Sequence, residues 1–219
     1  MTRKRLRAVL FGPQGSGKGT QGQLLAERFD VPLIGSGELC RAEIAEGSAL
    51  GKLVGEYVAH GMLAPDELVN AVVQKRLSEV ATDRGFILDG YPRNVEQAET
   101  LDRFLKVNIA IQLKLQDNEA IRRLLGRRQC TVCRAIFHVE DAPPVTLDQC
   151  TYCGKPLVRR EDDYEEPIRA RLSAYHFMTE PLASYYRQRG VLLALQAGQP
   201  LNLLFDELIK KMAKLGFIA

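Results

Sequence analysis

The stretch Gly12-Pro13-Gln14-Gly15-Ser16-Gly17-Lys18-Gly19-Thr20 constrains the fold more than any other part of the chain. It follows an unbroken apolar run, Ala8-Val9-Leu10-Phe11, which suits a central strand of a parallel sheet covered on both faces. It precedes Gln21 to Phe29, whose Leu24, Leu25 and Phe29 fall on one side at helical spacing. Gly12, Gly15 and Gly17 let the backbone curl so that successive N–H groups point into one concavity. The helix start adds partial positive charge, Lys18 a mobile ammonium and Thr20 a hydroxyl. Strand, glycine-rich turn and lysine-headed helix read as a phosphate-binding loop. The pattern G-x-x-x-x-G-K-[ST] is altered in one place: Gly19 follows the lysine, and the hydroxyl comes one position later.

The same alternation of strand and helix continues downstream. Val31-Pro32-Leu33-Ile34 predicts a second strand, and Ser36 an N-cap for a helix carrying Leu39, Cys40 and Ile44. Leu50 to His60 predicts another helix closed by Gly61, and Pro65-Asp66-Glu67 opens the next with proline and acids in its first turn. Gly85 to Asp89 predicts a buried strand that delivers Asp89 at its carboxyl end, ahead of the turn Gly90-Tyr91-Pro92-Arg93. A helix from Asn94 to Leu105, a strand from Val107 to Leu115 and a helix capped by Asp117 follow. The chain closes with one long helix from Glu161 to Arg189, interrupted near Pro181, then a strand at Val191–Leu195 and a helix from Pro200 to Leu215. Repeated βα units imply an α/β fold: a three-layer, doubly wound, parallel five-stranded sheet with ligands at the carboxyl ends of its strands.

Residues 128–160 break this rhythm. Cys130 and Cys133, then Cys150 and Cys153, form two C-x2-C pairs separated by 16 residues, inside the spacing of a structural zinc site. Four thiolates leave no open coordination position, so the metal is expected to be structural. His138 lies too far along the chain from both pairs to replace one of them. The fifth cysteine, Cys40, reads as a small apolar residue of a helix.

At 219 residues the chain suits one large domain with insertions. A hydrophobic fraction of 46%, a charged fraction of 26% and a net charge of +3 are those of an ordinary globular protein. They compel neither a nucleic-acid nor a membrane partner, and no apolar run approaches the ~20 residues of a membrane span. The basic start, Met1 to Arg5, is followed by no signal-cleavage pattern, so the expectation is a cytoplasmic protein whose cysteines are reduced or metal-bound. Arg41, Arg93, Arg123, Arg127, Arg160 and Arg171 recur beside the expected ligand edge, and guanidinium forks suit phosphate oxygens.

Gly12 to Gln21, then Asp89-Gly90-Tyr91-Pro92-Arg93, then Gly126-Arg127-Arg128, then Arg160-Glu161-Asp162-Asp163 with Arg169 and Arg171, resemble the adenylate kinases in order and spacing. The resemblance covers nearly the whole chain, and the cysteine insertion is similar to the zinc-containing lid of the long bacterial type. It implies the reaction MgATP + AMP ⇌ 2 ADP in a monomer without nucleic-acid or membrane partners. It implies a core of 1–34, 65–127 and 161–219, an AMP-binding helical segment at 35–64, and a zinc-binding lid at 128–160. Lys18, Arg93, Arg127, Arg160 and Arg171 would be catalytic. Gly15, Ser16, Gly17, Lys18, Gly19, Thr20, Arg123, Arg127, Phe137, His138 and Gln199 would bind ATP. Ser36, Arg41, Ala64, Gly90, Arg93, Gln97, Arg160 and Arg171 would bind AMP, with Gln97 reading the adenine edge. Asp89 would orient Mg2+ through water, and Cys130, Cys133, Cys150 and Cys153 would hold structural Zn2+.

Three residues depart from the family's usual pattern: Ser36 stands for Thr, Glu38 for Asp and Tyr91 for Phe, all on the acceptor side. Three other readings compete. One is a kinase acting on UMP, CMP or GMP. Another is a zinc-ribbon nucleic-acid binder with an ATPase loop, which Glu140, Asp141 and Asp148 disfavour by diluting the basic charge around Phe137 and Tyr152. The third is a homologue that binds nucleotides without turning them over, against which the complete arginine set argues.

Overall fold

The computed structural model describes residues 4–59, 64–80 and 84–218. Its centre is β1 (Leu6–Phe11), whose even residues Leu6, Ala8 and Leu10 and odd residues Val9 and Phe11 belong to two different core clusters. That is the period of two expected of a strand covered on both faces. One face packs on α1 (Lys18–Phe29) through Leu25 and Phe29, and on α9 (Leu201–Lys214) through Leu204, Leu208 and Met212. The other packs on α4 (Asp66–Glu79), α5 (Val95–Phe104) and α8 (Leu182–Gln188).

The sheet has five parallel strands in the order β2 (Leu33–Gly35), β3 (Gly85–Asp89), β1, β4 (Ile109–Lys114) and β8 (Leu192–Gln196). Leu10 and Gly35 both stand level with Asp89 in the register. The carboxyl ends of the three strands β2, β3 and β1 therefore meet where the glycine-rich turn leaves the sheet. This arrangement agrees with the doubly wound parallel sheet expected from the βα repeats.

Between β2 and α4 the chain forms α2 (Ser36–Glu46) and α3 (Ala49–Ala59). The expected helix end at His60 and Gly61 lies outside the described residues. Past β4, α6 (Asp117–Leu125) leads into a small antiparallel sheet with β5 (Arg127–Cys130) between β6 (Ile136–His138) and β7 (Leu157–Val158). Its core is small: Cys130, Phe137, Cys150 and Leu157.

Local chemistry corrects two expectations and sharpens a third. Ser36 does not cap α2; Gly35 occupies that position, and the Ser36 hydroxyl donates to the Gly90 carbonyl at 2.7 Å instead. Asp117 is the first residue of α6, with Gln116 at the cap, so its carboxylate acts on the helix dipole. The interruption expected near Pro181 in the helix of 161–189 is present: α7 (Glu165–Ala174) gives way to a π-turn over Tyr175–Thr179 before α8. Pro181, which lacks an N–H to donate, follows the π-turn, where the Glu180 N–H reaches back to the Tyr175 carbonyl at 2.9 Å.

Candidate active site

The turn after β1 is built by close approach. Gly12 has φ of 154°, and a Cβ there would lie 2.3 Å from the Leu113 carbonyl oxygen, so no larger residue fits between β1 and β4. Gly17, at φ of 83°, caps α1 with no side-chain hydrogen bond. Ser16 is fully buried, and its Oγ finds no hydrogen-bond partner among the described residues. Thr20 is exposed at the head of α1.

Lys18 folds back over this turn. Its Nζ donates to the carbonyls of Gly12 and Pro13, both at 2.8 Å. Burial lowers its pKa to about 8 against the pull of Asp89, while the positive charges of Arg93 and Arg127 lower it further. Asp89 stands at the end of β3, and burial raises its pKa, with Glu38 adding to the rise and Lys18 and Arg93 opposing it. The bare backbone of Gly19 passes alongside: a Cβ there would lie 3.8 Å from Asp89 Oδ2. Residues from three separate parts of the chain thus act on one ammonium group.

Arg122, Arg123, Arg127 and Arg171 are held by carboxylates. Arg127 donates from Nε at 2.8 Å and Nη2 at 2.6 Å to Asp163, whose side chain is 0% exposed. Arg171 donates to the same carboxylate at 3.2 Å and to Asp162 Oδ2 at 2.6 Å. Arg160 donates to Gln129 Oε1 at 2.8 Å, and burial next to Arg127 lowers its pKa. Arg123 donates to Glu119 at 2.7 Å, and Glu119 also accepts from Arg122 at 2.9 and 3.0 Å, which holds that carboxyl near pKa 2. Arg122 in turn reaches Glu140 at 3.2 Å and Asp141 at 2.7 Å, tying α6 to the turn after β6.

On the other side, Arg93 donates from Nε to the Gly90 carbonyl at 2.9 Å. Gln97 is 2% exposed; its Oε1 accepts from the Arg93 N–H and its Nε2 donates to Asp66. Tyr91 turns its hydroxyl to Asn70 Oδ1 at 2.7 Å, so the extra oxygen at this position is satisfied by α4. Arg41 is exposed on α2, and Ala64 is half-buried just before α4.

The remaining sequence-predicted contacts have partners within the protein. Phe137 is buried in the small sheet, its ring centroid 5.8 Å from that of Tyr152. His138 Nδ1 accepts from the N–H groups of Glu140 and Asp141 at 3.1 and 3.0 Å. Its ring fills the place a side chain on Gly126 would take. Gln199 donates to Glu207 Oε2 at 2.6 Å.

The four cysteines converge. Cys130 and Cys153 sulfurs lie 3.4 Å apart, Cys133 and Cys150 3.5 Å, and Cys133 and Cys153 3.6 Å, and all four lie within 4.8 Å of one another. These are no disulfides, which need about 2.05 Å. A tetrahedron with Zn–S bonds of about 2.3 Å has edges of about 3.8 Å, so the cluster is compatible with zinc.

Sequence reasoning missed the carboxylates. Asp163 was read only as part of a family stretch, Asp66 only as a helix-start acid and Glu119 not at all, yet each fixes a residue expected to touch substrate. Glu119 was readable in principle, standing three residues before Arg122 and four before Arg123 on one helix. Asp163 and Asp66 pair across long stretches of chain, which spacing alone does not reveal.

A family profile described as Adenylate kinase matches residues 10–191. An adenylate kinase of Caldanaerobacter subterraneus subsp. tengcongensis is 39% identical over 212 residues, spanning 94% of this chain and 96% of that protein. One from Acidothermus cellulolyticus is 43% identical over 202 residues, 90% of this chain and 93% of its own length. One from Symbiobacterium thermophilum is 40% identical over 202 residues, 90% and 94% of the two chains.

Proposed function

The chain belongs to the adenylate kinase family, phosphotransferases that interconvert ATP + AMP and 2 ADP, and we propose how its own residues divide that work. The observation that carries the proposal is the glycine turn after β1, with the Lys18 ammonium folded onto the Gly12 and Pro13 carbonyls and Asp89 alongside Gly19. Residues 1–34, 65–127 and 161–219 form the core, 35–64 the acceptor arm and 128–160 the lid.

Lys18 and the backbone N–H groups of Gly15, Ser16, Gly17, Gly19 and Thr20 hold the donor phosphates. Arg123, Phe137, His138 and Gln199 line the donor nucleoside. Ser36, Arg41, Ala64, Gly90, Arg93 and Gln97 take AMP. Arg127, Arg160 and Arg171 neutralise the transferring phosphoryl group, and no protein nucleophile is needed because alignment and charge carry the step. Asp89, a hard oxygen ligand beside the phosphate turn, fits magnesium held through water; the ion, bound with ATP, spreads the phosphate charge.

Gln97 supports AMP as the acceptor. One amide N–H and one oxygen lone pair are left after its two observed bonds, the pair an adenine edge requires. With ATP fixed, kcat/KM for AMP is expected to exceed that for UMP, CMP and GMP by at least about a hundredfold, since a mismatched base leaves a buried amide unpaired. A preference for another monophosphate in this assay would overturn the acceptor assignment and leave the donor site standing.

We also assign structural zinc to Cys130, Cys133, Cys150 and Cys153, and its reduced thiolates suit a cytoplasmic location. Metal analysis is expected to find about one zinc per chain. Cys150→Ser is expected to lower Tm by several degrees while activity at low temperature largely survives, because the metal supports a segment whose own apolar core is small. Loss of all turnover in metal-free protein that keeps its circular dichroism spectrum would instead give zinc a chemical role. Among the described residues no helix is long and apolar enough to cross a membrane.

A further inference from the structure

The side-chain amide of Gln97 has no freedom to turn over. Its Oε1 accepts from the Arg93 backbone N–H at 2.7 Å, and its Nε2 donates to Asp66 Oδ1 at 2.6 Å. A backbone N–H only donates and a carboxylate only accepts, so the amide oxygen and nitrogen cannot exchange places. Gln97 is 2% exposed, which leaves no bulk water to compensate a reversal. Asp66 is fixed in its turn: Oδ2 accepts from Asn94 Nδ2 at 2.6 Å, and Asn94 Oδ1 accepts from the Gln97 N–H at 2.8 Å. This closed circuit joins the first turn of α4 to the first turn of α5.

We propose that Asp66 is a specificity-determining residue of the acceptor site, which it sets by holding the Gln97 amide in one orientation. The inference rests on the assignment of Gln97 as reader of the base. Adenine offers a donor at N6 and an acceptor at N1; a 6-oxopurine offers an acceptor at O6 and a donor at N1, the inverse edge. A free glutamine serves both by a half-turn about its last torsion, which is broad and two-fold. Here the half-turn would set Nε2–H2 against the Arg93 N–H and Oε1 against the Asp66 carboxylate. The site therefore discriminates by what it cannot do as well as by what it binds.

Asp66→Asn lifts one of these two bars, because an amide at 66 can turn to present N–H toward a reversed Gln97. The measurement is kcat/KM at fixed ATP for AMP and for inosine monophosphate, a 6-oxo acceptor without the 2-amino group of guanine. The AMP-to-IMP ratio is expected to fall about tenfold in Asp66→Asn, with KM for ATP unchanged. Asp66→Ser, whose hydroxyl both donates and accepts, is expected to move the ratio the same way and serves if the asparagine variant does not fold. Gln97→Leu is expected to collapse the ratio further, since it removes the reader.

Retention of the wild-type ratio in both Asp66 variants, alongside its collapse in Gln97→Leu, overturns the lock and spares the reader. An unchanged ratio in Gln97→Leu overturns the reader and the lock together. Loss of AMP and IMP activity in equal proportion by a folded Asp66 variant reduces Asp66 to structural support and also overturns the proposal.

Discussion

Replacing Lys18 with Met is expected to leave the fold intact and to reduce kcat by about three to five orders of magnitude. The Nζ group makes its hydrogen bonds only to the carbonyls of Gly12 and Pro13 among the described residues, so its removal breaks no ion pair. What is lost is the charge needed when negative charge moves onto the β,γ-bridging oxygen, a contribution of the kind that arginine fingers make at ~10³–10⁵ in rate. Far-UV circular dichroism and a thermal melt check the fold, and a coupled ADP assay the rate. Near-normal turnover in the Met variant would show that the donor site has been misplaced. A pH profile adds an independent check. The Lys18 pKa is lowered to about 8, so the free enzyme loses this charge as pH rises past that value. In the wild type kcat/KM for ATP, which reports the free enzyme, is expected to fall above about pH 8. Bound phosphates favour the protonated form, so the corresponding fall in kcat is expected at higher pH. Both limbs are expected to be missing in the Met variant.

Arg127→Lys is the second large effect, expected to lower kcat about 10²–10³-fold while the charge is conserved. Arg127 uses Nε and Nη2 together on Asp163, a fork that presents its remaining N–H groups in a fixed plane. A lysine ammonium can satisfy Asp163 from one point only and aims nothing predictable at a phosphoryl group. The companion Arg127→Met would leave the fully buried Asp163 carboxylate with only its longer contact to Arg171, at a cost of about 1–3 kcal/mol in stability. Urea unfolding separates the two: a large kcat loss with an unchanged midpoint is expected for Lys, and losses in both for Met. Full turnover in the Lys variant would mean that positive charge near Asp163 suffices and the fork is dispensable.

The parallel sheet and the phosphate turn were legible in the chain because their signals are local. Apolar runs of strand length, glycines at Gly12, Gly15 and Gly17, and Lys18 in their wake each constrain their own neighbourhood. The cysteine spacing was legible for the same reason, and the four sulfurs do converge. Helix details were less so. Ser36 carries an N-cap side chain, yet it stands one place inside the helix, and its hydroxyl donates to the Gly90 carbonyl brought alongside by β3. The π-turn at Tyr175–Thr179 leaves no compositional mark beyond Pro181. The partners of the arginines were the least legible, since Arg127 and Asp163 are separated by 36 positions and meet only once β5 and the start of α7 are in place.

Those partners change how the crevice looks from a distance. A guanidinium locked to a carboxylate is a dipole, whose field decays more steeply than that of a lone charge, and salt of physiological strength screens what remains beyond about 8 Å. Asp162, Asp163 and Glu119 therefore mute Arg127, Arg171, Arg122 and Arg123 toward the surrounding solution. A crescent of bare arginines would attract any passing polyanion, from long RNA to an acidic protein tail. Muted ones act mainly at contact range, on an anion that exchanges hydrogen bonds with them, so the charge pairing itself favours a ligand that docks over a polyanion that merely passes.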